Sequence, residues 1–476
     1  MEKTKRKNGQ KGITLIALII TIIVLIILAG ISIAMISGQD GILNRAGRAK
    51  TQNDIEGTKE QIKLELIGKY DANGKYTNAD VIDAVEKVTG NPVTEKTGRV
   101  KTKNGNYMDI SDLWVTSNPT GGGSGNTETI SKIETGKKYT NKSEYSETDT
   151  GYKITIPGGY TIADDSATKI KDGIVVKDES GNEFVWVPVP NAIANTEAEI
   201  TTMVNNKQYP IAVKTGSTDS NGNIAYRGVL YDFSLSSGTV SMTAMSYSAS
   251  KYREPAYLEH TIYGDASPDG IADLQNIVGF TDSGDTLKTA WTNQMQTEFD
   301  EMVENVASAG GYYISRYEIS GSIDSRGNIT TESKPNATAF TGDTTYKNNK
   351  LTWYGLYKAG KSYTHDGIGS TIIWGSQYDQ MMIWMAKNGI DVTKEDSTNY
   401  NKNSTITGVS GSKDVINKVY DLYGGRCEWT LEAYDTFSRV ARGGGYNSSF
   451  PATRRSDGSP TDSEYFISTR ATLYVK

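Results

Sequence analysis

The feature that most constrains this chain of 476 residues is an uncharged apolar run near its start. No charged residue occurs between Lys11 and Asp40, and five basic residues stand at or before Lys11. A helix rises about 1.5 Å per residue, so the roughly 24 residues from 13 to 36 would extend about 36 Å. This length covers the roughly 30 Å hydrocarbon core of a bilayer with some tilt. The preceding basic residues favour a cytoplasmic N-terminus and an exported remainder.

Three interpretations of this segment stay open. A cleaved secretory signal has an apolar core of about 7–15 residues, which is shorter than this run. A plain membrane anchor fits the length. The third interpretation rests on a resemblance: the basic leader, Gly12, an apolar residue, Thr14-Leu15-Ile16 and a long apolar stretch resemble the N-terminus of type IV prepilins and pseudopilins.

The prepilin resemblance covers about the first 65 residues and implies a processing step. In that family a prepilin peptidase cuts after the glycine and methylates the new N-terminus, so we expect cleavage between Gly12 and Ile13 and an N-methylated Ile13. The family has Glu at the fifth mature position, where it is assigned to pairing with a neighbour's terminal amine. This chain has Ala17 there. We expect the peptidase to process a chain with Ala17, whereas assembly with other pilins is put in doubt by the missing carboxylate.

The amino-acid composition limits which partners the chain can bind and which metal or redox sites it can form. The net charge of −6 and the pI near 5.3 argue against nucleic acid as the main partner. The single cysteine, Cys427, excludes intramolecular disulfides, a four-cysteine zinc site and a Cys-x-x-Cys redox pair. An exported domain without disulfides needs a large apolar core, which a domain of about 300 residues can provide.

The chain divides into five predicted segments. These are a leader (1–12), a transmembrane or pilin stem helix (13–67), a small pseudopilin-like head (68–116), a Gly/Ser linker (117–127) and a distal domain (128–476, core about 170–476). In the head, Asn78-Ala79-Asp80 is expected to cap a helix that runs to Val88. Asp71 and Asn73 could ligate a structural calcium ion, although the same residues are typical of a turn.

The distal domain is predicted to be α+β. Strands are expected at 153–157, 173–178, 183–189, 312–320 and 468–475. Apolar residues at three- and four-residue spacing predict helices over 285–309 and 377–387. The polar stretch from about 192 to 257 lacks strong periodicity and is interpreted as insertions.

Five short motifs in this domain carry a second resemblance. Phe184-Val185-Trp186-Val187-Pro188, Tyr317-Glu318, the segment 424–430, Arg442-Gly443-Gly444 and a last strand with Arg470 occur in that order. They resemble the formylglycine-generating enzyme (sulfatase-modifying factor) family, which has a variant of the C-type lectin fold. The resemblance implies a C-type-lectin-like domain whose structural motif residues are Glu318, Glu428, Trp429, Arg442, Gly443, Gly444 and Arg470.

The sequence argues against catalysis. Enzymes of that family oxidise a substrate cysteine with two copper-binding cysteines just after the Arg-Gly-Gly motif. Residues 446–454 contain no cysteine, so oxidase activity is excluded, and Cys427 is expected to be a small buried hydrophobe. His260 and His365 have no His or Cys at metal-ligand spacing, and no phosphate loop or dinucleotide fingerprint occurs. We expect no catalytic residue and no cofactor other than the structural calcium ion considered above.

The last part of the chain has the composition of a binding surface. Lectin-like folds present ligands on loops near the C-terminus, and residues 446–465 are nearly all Tyr, Asn, Ser, Phe, Pro, Thr, Arg, Asp and Gly. Antibody paratopes likewise combine rigid aromatic rings with small polar groups and Arg. An ordinary solvated loop is the alternative. The candidate ligand contacts are Tyr446, Asn447, Ser448, Ser449, Phe450, Arg454, Arg455 and Tyr465. Relatives of this fold are targets of diversity-generating retroelements, so residues 442–475 could be such a variable region.

Together these patterns predict a displayed, non-catalytic binding protein. We expect an adhesin-like chain that spans a bacterial cell membrane once, with the C-terminal domain outside the cell or on a pilus. Its expected partners are a prepilin peptidase, the membrane, other pilins and an extracellular protein or glycan. Two alternatives stay open: a minor pilin or pseudopilin that caps a filament or secretion system, and an enzyme of unrecognised chemistry.

Overall fold

The computed structural model describes two compact units, residues 1–116 and 117–476. The described residues are 54, 57–59, 61–62, 64–66, 69, 77–94, 99–105, 107–110, 127–218, 223–246, 251–255, 268–347, 349–365, 367–395, 400–403, 405–409, 412–435, 438–447 and 450–476. The leader, the cleavage site at Gly12 and Ile13, the apolar run, Asp71, Asn73 and most of the linker lie outside them. Within the described part, no helix is both long enough and apolar enough to cross a membrane.

Six α-helices are described. They are α1 (Asn78–Thr89), α2 (Glu197–Asn205), α3 (Pro268–Asp273), α4 (Gly284–Ala309), α5 (Trp353–Gly360) and α6 (Gly375–Lys387). Two short 3₁₀ turns cover Ile170–Asp172 and Lys361–Tyr363, and a π-helical turn covers Leu274–Val278.

The described strands are short and numerous. They are β1 (Arg99–Lys101), β2 (Tyr107–Asp109), β3 (Glu128–Thr129), β4 (Ser143–Ser146), β5 (Lys153–Ile156), β6 (Thr161–Ile162), β7 (Val175–Lys177), β8 (Glu183–Pro188), β9 (Ile193–Ala194), β10 (Ala212–Thr218), β11 (Ile224–Gly228), β12 (Tyr231–Ser236), β13 (Thr239–Ala244), β14 (Gly311–Ser315), β15 (Ser320–Ile323), β16 (Ile329–Glu332), β17 (Ala337–Thr338), β18 (Thr345–Tyr346), β19 (Asn349–Lys350), β20 (Ile368–Ile372), β21 (Ile406–Thr407), β22 (Val415–Ile416), β23 (Val419–Tyr420), β24 (Cys427–Ala433), β25 (Arg439–Arg442), β26 (Arg455–Gly458), β27 (Ile467–Thr469) and β28 (Ala471–Val475). The mixture of helices and strands agrees with the predicted class.

The first unit has its own small core. Helix α1 begins after Thr77, whose hydroxyl accepts the Asp80 N–H while the Asp80 carboxylate accepts the Thr77 N–H. The cap is therefore Thr77 rather than the predicted Asn78-Ala79-Asp80, because the helix starts one residue earlier in register. Gly90, with φ 75°, ends the helix. Val81 and Val85 pack in a cluster with Ile62, whose own segment is helical at every described position from 54 to 66.

A six-stranded antiparallel sheet forms the centre of the second unit. Its order is β20-β28-β14-β8-β7-β6. All six residues of β8 are buried, as are all five of β14 and of β28. The apolar run of β8 fits a strand covered on both faces, and its predicted position is confirmed.

Helix α4 covers this sheet along one apolar stripe. Trp291, Met295 and Phe299 follow one another at four-residue spacing and are buried. The helix ends at Gly310, where φ is 83°. The prediction of a helix over 285–309 is confirmed to within one residue, and α6 begins two residues before its predicted start.

The described residues between 192 and 255 form more helix and strand than their sequence suggests. They include α2 and the strands β9 to β13, and Ile200 and Met203 of α2 pack with Val213 and Tyr231. These strands form small sheets with solvent on one side, so exposed residues such as Leu235 break the apolar pattern. This is why periodicity alone missed them.

Candidate ligand-binding site

A four-stranded sheet of order β26-β25-β24-β27 brings distant segments to one end. Cys427, the first residue of β24, pairs in parallel with Ile467, the first residue of β27. Glu428 pairs with Arg442, the last residue of β25, and Arg442 pairs with Arg455, the first residue of β26. The segments before β24, after β25, before β26 and before β27 therefore meet at the same end of the sheet.

Four aromatic rings occupy this end, and they belong to Tyr446, Phe450, Tyr465 and Phe466. Tyr465 is 47% exposed and Phe466 is 37% exposed, which is unusual for side chains of this size. Their rings meet edge to face with centroids 5.3 Å apart. Tyr446 approaches from the segment after β25, and its hydrogen bond with Tyr465 raises the pKa of the Tyr465 hydroxyl.

Two arginines complete the cluster. The Arg426 guanidinium lies 5.3 Å from the centroid of the Tyr446 ring and donates to the Tyr465 carbonyl. The Arg454 guanidinium lies 3.9 Å from the centroid of the Phe450 ring. Stacking on a ring fixes a guanidinium while leaving in-plane N–H donors for other acceptors.

We call this set the aromatic–arginine surface and define it as Arg426, Tyr446, Phe450, Arg454, Tyr465 and Phe466. No carboxylate among the described residues forms an ion pair with either of its guanidinium groups. The surface therefore offers flat apolar faces beside positive charge that is not internally neutralised.

The other predicted contacts are placed differently. Asn447 is exposed next to this surface, whereas Ser448 and Ser449 lie outside the described residues. Arg455 points inward: its guanidinium donates to Asp379 at 2.6 Å, to Glu432 at 3.2 Å and to the Tyr231 carbonyl at 2.9 Å. With these partners Arg455 is a structural residue, and we leave it out of the surface.

Cys427 lies beneath this surface rather than in it. The thiol is buried, and the nearest guanidinium nitrogen, from Arg454, is 3.8 Å from its Sγ. Burial raises the pKa of the thiol to about 12, so it is protonated at neutral pH. This placement matches the expected small buried hydrophobe.

The seven motif residues are buried beneath this end of the four-stranded sheet and stabilise it. The Arg442 guanidinium pairs with Asp379 at 2.8 Å, and Arg470 pairs with Glu428 at 3.0 Å, with all four side chains inaccessible to solvent or nearly so. Gly444 is required by space, because a Cβ there would lie 1.8 Å from the Tyr423 carbonyl oxygen. Glu318, Trp429 and Gly443 are buried in the same region.

Four buried carboxylates lie near Arg470 or near its partner Glu428. They belong to Glu318, Asp414, Asp421 and Glu428. Burial raises the pKa of Asp414 to about 6 and that of Glu428 to about 8, and it raises the pKa of Glu318 as well. Burial therefore favours the protonated form of Glu428 at neutral pH.

No metal centre is found in the described part of the chain, where no three His, Cys, Asp or Glu side chains are grouped to hold an ion. His365 is exposed and stacks on Tyr160, with ring centroids 6.4 Å apart, while His260 lies outside the described residues.

Sequence reasoning missed Arg426 and Phe466. Each directly precedes a strand and adjoins a residue that was singled out, Cys427 in one case and Tyr465 in the other. The signal that could have found them is this shared position, since the starts of two parallel strands lie at the same end of a sheet.

Comparisons with known proteins add little to this geometry. No protein-family model matches the chain, and no curated protein matches it. Among solved structures, the "Major Tropism Determinant U1 Variant" matches with a TM-score of 0.24 and 12% identity, over 74% of this chain and 100% of that one. A similarity this low assigns neither fold nor function.

Proposed function

We propose that residues 117–476 form a non-catalytic domain that binds an extracellular protein or glycan through the aromatic–arginine surface. The observation that carries the proposal is the exposure of Tyr465 and Phe466 beside two ring-stacked guanidinium groups. In the same domain, all six tryptophans from Trp186 to Trp429 are buried. Because the other large rings are buried, the exposure of Tyr465 and Phe466 indicates a surface that a binding partner covers.

The chemistry of the surface fits these ligand classes. Aromatic faces stack on the C–H side of sugar rings or on apolar side chains, and they lose little conformational entropy on binding. Guanidinium groups bind carboxylates through paired N–H donors. An acidic glycan or an acidic protein segment would use both features at once.

We further propose that this domain is anchored to the membrane and displayed outside the cell. The order of the five motifs supports a C-type-lectin-like domain related to the formylglycine-generating enzymes but without their cysteine pair. The Gly12-Ile13 junction and the uncharged run behind it support processing by a prepilin peptidase and a single membrane span. The C-terminal domain would then face the cell exterior.

Genetic diversification of residues 442–475 extends the proposal. These residues include most of the aromatic–arginine surface. A neighbouring reverse-transcriptase gene with a near-copy of the 3′ sequence, differing at adenines, would support this extension. A genome with neither feature would refute it.

The binding proposal is tested with residues 117–476, since the hydrophobic clusters formed by their described residues contain no described residue of the first unit. We expect saturable binding to at least one component of a panel of glycans, mucin and cells. Replacing Tyr446, Arg454 and Tyr465 together with Ser should abolish this binding at an unchanged melting temperature. Leu235→Ser, which alters another exposed hydrophobic side chain, is the matched control.

Two outcomes contradict the proposal. Undiminished affinity in the triple variant would place the site elsewhere. Absence of saturable binding across the panel would favour a structural filament-capping role.

A further inference from the structure

A cavity of about 320 Å³ opens on a different part of the second unit. Its lining includes the chain segment 278–280 and the side chains of Gln294, Tyr357, Lys358 and Lys361. None of these residues belongs to the aromatic–arginine surface. The volume is at the lower end of the range found for small-molecule sites.

One wall of the cavity is shaped by an unusual turn. Residues Leu274–Val278 are π-helical, and the Leu274 carbonyl accepts N–H groups from both Gly279 and Phe280. Gly279 has φ 107°, which redirects the chain so that Phe280 stands edge-on to Trp291 with centroids 5.9 Å apart. Single π-helical turns occur often at functional sites, and this one supplies an aromatic wall.

The floor of the cavity is polar but neutral. The Tyr357 hydroxyl and the Gln294 amide both hydrogen-bond to Glu298, at 2.8 Å and 2.9 Å. Lys361 forms an ion pair with the same carboxylate. The charge of Glu298 is therefore compensated, so the floor holds no spare negative charge for a cationic ligand.

Lys358 supplies the charge that is not compensated. Its ammonium group donates to the Ile277 carbonyl at 2.8 Å, at the end of the π-helical turn. No carboxylate among the described residues forms an ion pair with it. An ammonium group has three donors, so it can bind an anion without giving up the carbonyl.

We propose that this cavity binds a small planar carboxylate, with its ring against Phe280 and its carboxylate on Lys358. The Gln294 amide donates to Glu298 and to Tyr357, and the Tyr357 hydroxyl donates to Glu298, so Lys358 supplies the donor for the ligand's carboxylate. The site is independent of the proposed adhesin function, because it shares no residue with the aromatic–arginine surface.

Benzoate, benzamide and benzylamine are suitable probes, since they share one ring and differ in charge. Titration of residues 117–476 by calorimetry should show saturable binding of benzoate, at least tenfold tighter than that of benzamide, and no binding of benzylamine. Lys358→Met should weaken benzoate binding at least tenfold. Phe280→Ala should weaken both benzoate and benzamide.

Lys347→Met is the matched control. Lys347 donates to the Asn276 carbonyl at 3.4 Å on the same π-helical turn, but it does not line the cavity. Its substitution should leave benzoate binding unchanged, as should the triple substitution in the aromatic–arginine surface. Absence of benzoate binding, equal affinity for all three probes, or full affinity in Lys358→Met would each overturn the proposal.

Discussion

The buried carboxylate cluster around Arg470 predicts that the second unit loses stability as the pH rises from 5 to 8. Burial raises the pKa of Glu428 from an ordinary 4.5 to about 8 in the folded state. The folded domain therefore holds a proton that the unfolded chain releases at lower pH. The resulting stabilisation is complete below about pH 4.5 and is lost as the pH rises towards 8.

The size of the effect follows from the width of that window. One proton held only by the folded state changes the free energy of unfolding by about 1.4 kcal/mol per pH unit. Across three pH units the expected loss from Glu428 is about 4 kcal/mol. Asp414, with a pKa raised to about 6, changes stability in the same direction at the acidic end of this range. The lowered pKa of Asp165 acts below pH 4 and does not oppose it.

Urea unfolding of residues 117–476 at pH 5, 6, 7 and 8, followed by circular dichroism, measures this slope. Glu428→Gln should reduce this slope, because glutamine imitates the protonated acid, and the slope that remains comes from groups such as Glu318 and Asp414, whose pKa values are also raised. Oε1 accepts the Arg470 N–H at 3.0 Å, and Oε2 is buried without a partner among the described residues. Glu301→Gln, at an exposed ion pair with Lys476, is the control. A stability that is constant or rising over this range, or an equal slope in Glu428→Gln, would refute the reasoning.

Three further predictions concern buried residues that stabilise the end of the β26-β25-β24-β27 sheet. Gly444→Ala should lower the free energy of unfolding by at least about 4 kcal/mol in the same urea assay, because its Cβ would meet the Tyr423 carbonyl oxygen. Gly445→Ala is the control and should cost less than about 1 kcal/mol, since its Cβ would have no neighbour closer than 3.7 Å. Equal effects of the two substitutions would contradict the close packing at Gly444. Arg442→Met should cost about 3–5 kcal/mol, since Asp379 and Glu432 lose a buried partner, while Arg326→Met at an exposed ion pair should cost less than about 0.5 kcal/mol. Iodoacetamide at pH 8 should alkylate Cys427 about a hundredfold more slowly in the native domain than in urea. The reason is that the thiol is buried and its pKa is raised to about 12. Comparable rates in the two conditions would place the thiol at the surface.

Local patterns were sufficient for the elements that form the main core. The four-residue spacing of Trp291, Met295 and Phe299 predicted α4, and the aromatic and β-branched run of β8 predicted a strand. Helix α2 and the hairpins after it were missed, because their exposed sides interrupt the pattern with residues such as Leu235.

The candidate site was only partly predictable, because it depends on pairing between residues far apart in the sequence. Cys427 and Ile467 are brought level by a parallel register, and this places Arg426 beside Tyr465. Composition could not separate Arg454, which stacks on Phe450, from Arg455, which donates to the buried carboxylates of Asp379 and Glu432. The burial of Asp414 and Asp421 near Glu428 likewise requires the fold.

Hydroxyl-radical footprinting of residues 117–476, bound to the panel component that it recognises, tests the central claim most directly. Oxidation of Tyr465 and Phe466 should fall at saturation, while oxidation of Leu235, which is 52% exposed, should stay constant. Unchanged oxidation of both rings under saturable binding would contradict the assignment of ligand binding to the aromatic–arginine surface.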